Sequence, residues 1–252
     1  MIGIFDSGSG GLTVLREVRV RMPSADIIYF GDTKHAPYGN KTREEITIRT
    51  IEAIGELARH GADSILSACN SVSASLAVSL FEALSLAPDR LIEMVGPTVG
   101  ALKDSPNRLL IAATVATINS GIYQNAFRMV GKDVAMVAIP TLAGAIEEGK
   151  SVAEQRQAIR EALGTVEPAS YDTLVLSCTH YPLALALFEE AAPGKKIVNP
   201  ADAVAERVVR AWGAREAGKG ALSFILTADS APFRARVAEF FPEAPHSIEV
   251  LQ

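Results

Sequence analysis

Cysteine is scarce in this 252-residue chain, which holds only Cys69 and Cys178. Two cysteines are too few for a disulfide scaffold and cannot complete a four-ligand zinc site without help from histidine or carboxylates. Long apolar runs are also missing. None approaches the ~18 residues that span a bilayer, so a membrane is not an expected partner. Basic residues are not in excess either: 24 Lys+Arg stand against 29 Asp+Glu, giving a net charge of −5. Scattered and outnumbered, they leave no electrostatic footprint for nucleic acid. The first residues, Met1-Ile2-Gly3-Ile4-Phe5-Asp6, lack a basic n-region and an apolar h-region, and a cytoplasmic location is expected. What remains is an ordinary globular composition, 48% hydrophobic and 21% charged, which excludes disorder and allows one large α/β domain or two small ones.

Short apolar runs at residues 2–5, 27–30, 65–67, 92–95, 109–113, 134–139, 174–176, 196–198 and 224–226 read as buried strands of parallel sheets. Helical stretches separate them. Thr42-Arg43-Glu44-Glu45 and Ser151-Val152-Ala153-Glu154 are capping boxes, in which hydroxyl and carboxylate satisfy each other's free backbone donors. Strand–helix alternation of this kind puts ligands at the C-terminal ends of strands. The chain also repeats. Cys69 and Cys178 lie 109 residues apart, as do the two capping boxes, and each cysteine follows by six residues an aspartate, Asp63 or Asp172, that opens a strand. Leu76-Ala77 and Leu185-Ala186 obey the same offset. Two related α/β halves, each carrying one thiol, can present those thiols to one cleft from opposite sides.

Polar residues gather where the strands stop. Cys69 lies in Ser67-Ala68-Cys69-Asn70-Ser71 and Cys178 in Ser177-Cys178-Thr179-His180, settings that favour an accessible thiolate. An inert buried cysteine is the competing reading. Of four histidines only His180 neighbours a cysteine, where it can relay a proton or bind a carboxylate; His60 and His246 read as surface residues. No further ligand stands at metal spacing near either cysteine, so no metal is expected. Asp6-Ser7-Gly8-Ser9-Gly10-Gly11 follows the first strand and can bond an ammonium and a carboxylate, unless it is only a tight turn. It is not a dinucleotide fingerprint, because Thr13 occupies the third glycine's place, nor a P-loop. Gly31-Asp32-Thr33 leads to Ala36-Pro37-Tyr38-Gly39-Asn40, whose backbone amides are suited to a carboxylate or simply to a loop. Thr114 and Thr117 supply hydroxyls at the matching place in the second half.

These motifs, with Ala116-Thr117-Ile118 and Cys178-Thr179-His180-Tyr181-Pro182-Leu183, resemble the aspartate/glutamate racemase family over residues 2 to about 240. The resemblance implies two pseudo-symmetric α/β domains with mostly parallel sheets and an active site in the cleft between them. It implies one domain of residues 1–97 plus 207–252 carrying Cys69, and another of residues 98–206 carrying Cys178. Its implied activity is cofactor-independent interconversion of L- and D-glutamate, supplying D-glutamate for peptidoglycan, with a homodimer left open. Carried over by motif, Cys69 and Cys178 are the catalytic pair, and Asp6 and His180 their acid–base auxiliaries. The substrate contacts are Asp6, Ser7, Tyr38, Gly39, Asn70, Ser71, Thr114, Thr117, Thr179 and His180. Lys34-His35, Ser71-Val72 and Ser177 depart from the usual pattern, and Val72 bears on pocket shape. The alternatives are a relative acting on aspartate or hydantoins, or a thiol-based binding or redox-sensor protein.

Overall fold

A computed structural model describes residues 1–73, 88–213, 218–244 and 246–251. Ten strands among these residues form two all-parallel sheets. The first contains β1 (Ile2–Asp6), β2 (Ile27–Gly31), β3 (Ser64–Ser67), β4 (Leu91–Ile92), β9 (Leu222–Leu226) and β10 (His246–Val250), in the order β10-β9-β2-β1-β3-β4. The second contains β5 (Leu109–Ala113), β6 (Ala135–Ala138), β7 (Thr173–Ser177) and β8 (Lys196–Val198), in the order β6-β5-β7-β8. The order β2-β1-β3-β4 recurs as β6-β5-β7-β8, so the duplication read from the cysteine spacing is present in the topology. The match at Leu76-Ala77 falls outside the described residues.

Helices cover both faces of each sheet, which is why the central strands β1, β3, β5 and β7 are buried along their whole length rather than on alternate residues. Along β1, Ile2 and Ile4 enter one core with Trp212 and Phe224, while Phe5 enters the opposite core with Ile54 and Tyr38. Along β5, Leu110 and Ala112 join one cluster, and Leu109 and Ile111 join the other. Both capping boxes are formed, Thr42 with Glu45 and Ser151 with Glu154. Each such N-cap is worth about 1 kcal/mol.

Most expected strands form with ends shifted by one or two residues, and two departures go further. The strand expected over residues 92–95 is confined to Leu91–Ile92, because Glu93 accepts hydrogen bonds from the backbone of Val95 (2.5 Å) and Gly96 (2.6 Å) and starts the helix Val95–Leu102. The edge strand β10, absent from the sequence reading, is only partly buried. Residues 98 and 207, where the sequence reading divides the chain, fall inside the helices Val95–Leu102 and Ala201–Trp212.

Candidate active site

The C-terminal ends of β1 and β3 in one sheet face those of β5 and β7 in the other. Asp6 ends β1, Cys69 follows β3, Thr114 follows β5 and Cys178 follows β7. Both cysteines are free, each only 5% exposed, and both line one narrow crevice. Ser7, Tyr38, Gly39, Asn70, Ser71, Thr114, Thr179 and His180 line the same crevice. Asp6 and Thr117 are buried directly behind this wall, Asp6 bonded to Thr179 and Thr117 to Thr114. Every residue expected at the site is therefore at or against it. The crevice encloses about 10 Å³, room for about one water, so its walls must part to admit an amino acid.

The halves are stitched together by buried hydrogen bonds around the thiols. Asp6 accepts from the Gly8 amide (2.9 Å) and, across the crevice, from the Thr179 hydroxyl (3.0 Å). The Thr13 hydroxyl donates to the Thr179 carbonyl (3.1 Å). At the other end Ser71, Thr114 and Thr117 form a hydroxyl cluster, with Ser71 to Thr114 at 3.0 Å and Thr114 to Thr117 at 3.1 Å. Gly39 abuts that cluster so closely that a Cβ there would lie 2.8 Å from Thr114. Asn70 is aimed by Tyr123, whose hydroxyl donates to its Oδ1 at 2.6 Å, while its buried Nδ2 has no protein partner. Val72 packs into the core behind Cys69 and does not line the crevice; Ser71 does.

The two thiols sit in different fields. Cys69 donates to the Ser7 hydroxyl at 3.7 Å. Burial and then the Asp6 charge push its pKa up to about 12, against the opposing Val72 amide and Ser7, so it rests as the thiol. Cys178 lies 3.9 Å from His180 Nδ1. Burial alone depresses His180, but the contact with Cys178 and the pairing with Glu147 override it and hold the imidazolium to about 10. A positive charge therefore stands beside the second sulfur, where it complements a thiolate.

Glu147 and Arg236 are the residues that sequence reasoning missed. Glu147 ends the helix Leu142–Glu147, is 8% exposed and lies 2.6 Å from His180 Nε2. It also accepts from the Ser9 amide (3.1 Å) and hydroxyl (2.5 Å). Burial raises its pKa, but His180 and Ser9 bring it down to about 2. A faint signal existed: Glu147 is four residues after Ala143, on the apolar face that also carries Ile146. Arg236, on the helix Ala231–Phe240, donates to the Ser9 hydroxyl and the Ile146 carbonyl, and no local motif marks it. Among the described residues no group of three or more His, Cys, Asp or Glu is arranged to hold a metal.

The whole chain, including both thiol-bearing halves, has close relatives among known proteins. The Asp/Glu/hydantoin racemase family profile matches residues 13–208. The chain belongs to the Asp/Glu racemase family. A glutamate racemase of Desulforudis audaxviator is 33% identical, over 98% of this chain and 96% of its own length. Among solved structures, a glutamate racemase isoform of Bacillus anthracis superimposes with a TM-score of 0.88 at 27% identity, covering 100% of this chain and 97% of that one. The glutamate racemase of Francisella tularensis in complex with D-glutamate gives a TM-score of 0.87 at 25% identity, covering 100% and 97%. As a family member the chain is an amino-acid racemase with the two-sheet α/β fold of those relatives. No helix among its described residues is long and apolar enough to cross a membrane.

Proposed function

We propose that this chain interconverts L- and D-glutamate by a two-thiol mechanism. The observation that carries the proposal is that Cys69 and Cys178, from equivalent strand ends of two related halves, line one crevice. Racemisation removes the Cα proton on one face and delivers another on the opposite face. A single base can do this only by moving or turning the substrate, whereas two flanking thiols avoid both. In one direction the Cys69 thiolate takes the proton, and the Cys178 thiol returns one from the other side. The reverse direction starts from the opposite protonation pattern. By family resemblance Cys69 serves the D-substrate and Cys178 the L-substrate.

An α-amino-acid proton is far too weakly acidic for a thiolate unless the developing enediolate-like charge is stabilised. Asn70 and Thr179 each directly follow a catalytic cysteine in sequence, so they suit the α-carboxylate; the unpartnered Asn70 Nδ2 is the donor already in place. Asp6 and Ser7 suit the ammonium. The Tyr38–Gly39 backbone and the hydroxyls of Ser71, Thr114 and Thr117 form one continuous polar end, suited to a second, distal carboxylate. That end is what favours glutamate over a monocarboxylic amino acid.

The two-domain division belongs to the same proposal, with residues 1–97 and 207–252 in one domain and 98–206 in the other. Packing supports moving its crossings to the helix starts, since Val95 and Val99 pack with Leu109 and Ile111, and Ala201 and Val204 with Ile4. Free thiols call for a reducing compartment, consistent with a cytoplasmic enzyme supplying D-glutamate for peptidoglycan. Circular dichroism of L-glutamate, D-glutamate, L-aspartate and a hydantoin incubated with the protein tests the substrate. Loss of ellipticity with both glutamate enantiomers is expected; turnover confined to aspartate or the hydantoin refutes the assignment.

A further inference from the structure

One buried carboxylate beside the crevice has no part in the mechanism above. Asp32, 2% exposed, follows β2, and its amide donates to the Asp6 carbonyl at 3.2 Å, which ties it to the floor of the site. Its side chain answers three partners from three places in the chain. Oδ2 accepts from the Tyr38 hydroxyl at 2.5 Å. Oδ1 accepts from the Thr227 hydroxyl at 2.6 Å and lies 2.7 Å from His35 Nδ1. Thr227 also accepts from the Lys34 amide at 3.0 Å, and Thr33 bonds Ala228 in both directions, so the segment around Asp32 is laced to the end of β9.

Tyr38 is the only one of these partners that reaches the crevice. Its ring is 1% exposed and packs edge-on against Phe5, with centroids 6.3 Å apart. Burial and the Asp32 charge hold its hydroxyl protonated, so it is a donor. Tyr38 and Gly39 open the short turn Tyr38–Asn40, and the Gly39 Cα rests against Thr114 with no room for a Cβ. The turn has few other anchors: Asn40 donates to the Pro140 carbonyl at 3.2 Å. A charge-assisted hydrogen bond to a buried carboxylate is about twice as strong as a neutral one, so the Tyr38–Asp32 contact is the strongest anchor on this turn.

We infer that Asp32, held by Thr227 and His35, is a positioning residue that fixes the Tyr38–Gly39 backbone against Thr114 and thereby sets the affinity of the crevice for the distal carboxylate of the substrate. The inference rests on the glutamate-racemase reading. The distal carboxylate keeps its charge throughout racemisation, so its contacts bind ground and transition states equally, and weakening them raises KM without lowering kcat. General loosening of the fold does the reverse, lowering the active fraction while KM stays put.

Steady-state racemisation of both enantiomers by wild type, Asp32→Asn, Tyr38→Phe and the double variant tests it. Tyr38→Phe keeps the ring packing and the backbone amides and cuts only the hydroxyl, so it remains informative if Asp32→Asn fails to fold. Each single variant is expected to raise KM for L- and D-glutamate by roughly tenfold with kcat within about twofold. The double variant is expected to be no worse than the poorer single, since Asp32→Asn removes the charge and Tyr38→Phe the donor of one and the same contact. Wild-type turnover together with an unchanged KM in folded Tyr38→Phe, or a loss confined to kcat, overturns the role of Asp32 alone. Failure of the wild type to turn over glutamate overturns the racemase reading, and this inference with it.

Discussion

Glu147→Gln tests how the second thiol is tuned. Glutamine has the same shape and can still accept from Ser9, but it removes the negative charge 2.6 Å from His180 Nε2. Removing one member of a buried ion pair costs about 3–5 kcal/mol, and the retained Ser9 contact puts the variant at the lower end. The catalytic effect follows from His180, which stands at about 10 in the wild type. With Glu147 neutral, burial opposes the remaining Cys178 contact; a return to the ordinary histidine value of about 6.5 lowers the protonated fraction at pH 8 from about 99% to about 3%, roughly a thirtyfold loss of the cation beside Cys178. We therefore expect kcat/KM at pH 8 to fall by one to two orders of magnitude, about as far as the imidazolium population. The loss must be equal for L- and D-glutamate, because the equilibrium constant of a racemisation is unity and fixes the ratio of the two kcat/KM values. Urea unfolding and racemisation rates from pH 6 to 10 measure both effects. A kcat/KM within threefold of wild type at pH 8, with the alkaline limb of the profile unmoved, refutes the tuning role of the pair.

The same pair sets a pH window for stability. His180 is raised by folding, so its contribution is complete below its unfolded value near 6.5 and is lost as pH rises through about 10. Glu147 is lowered by folding, so its contribution is complete above about 4.5 and is lost as pH falls towards 2. The deficit of Glu147→Gln in thermal melts should thus be largest between about pH 4.5 and 6.5 and shrink on either side; a deficit independent of pH contradicts this. Gly10→Ala places a Cβ 2.6 Å from His180 Nδ1 and from Thr179 Oγ1. Displacing both groups is expected to lower kcat/KM by about 100-fold, and near-normal turnover would show that they need not sit where they do. Ser151→Ala, remote from the crevice, should lose about 1 kcal/mol in urea unfolding and leave kcat/KM unchanged.

Much of this was legible because it is local in the chain. Capping boxes, apolar strand runs and the cysteine offset are written within short windows, and the strands and caps formed from them. The crevice residues were legible because each stands within a few residues of a strand end or the glycine-rich turn. Glu147 and Arg236 were not, because their roles arise from contacts with Ser9 that span 138 and 227 residues of sequence. Asp32 lay inside a quoted motif, yet its three partners become visible only when β2, the Tyr38 turn and the end of β9 are brought together. The short β4 illustrates a different limit: Ile92 to Val95 reads as a strand until Glu93 folds back on the backbone amides that follow it.

Nuclear magnetic resonance of D- and L-glutamate in deuterium oxide, with wild type, Cys69→Ala and Cys178→Ala in parallel, tests the two-thiol site most directly. Wild type should incorporate deuterium at Cα from either enantiomer while converting it to the other. Each single variant should lose racemisation altogether. Full racemisation with either cysteine removed contradicts the account.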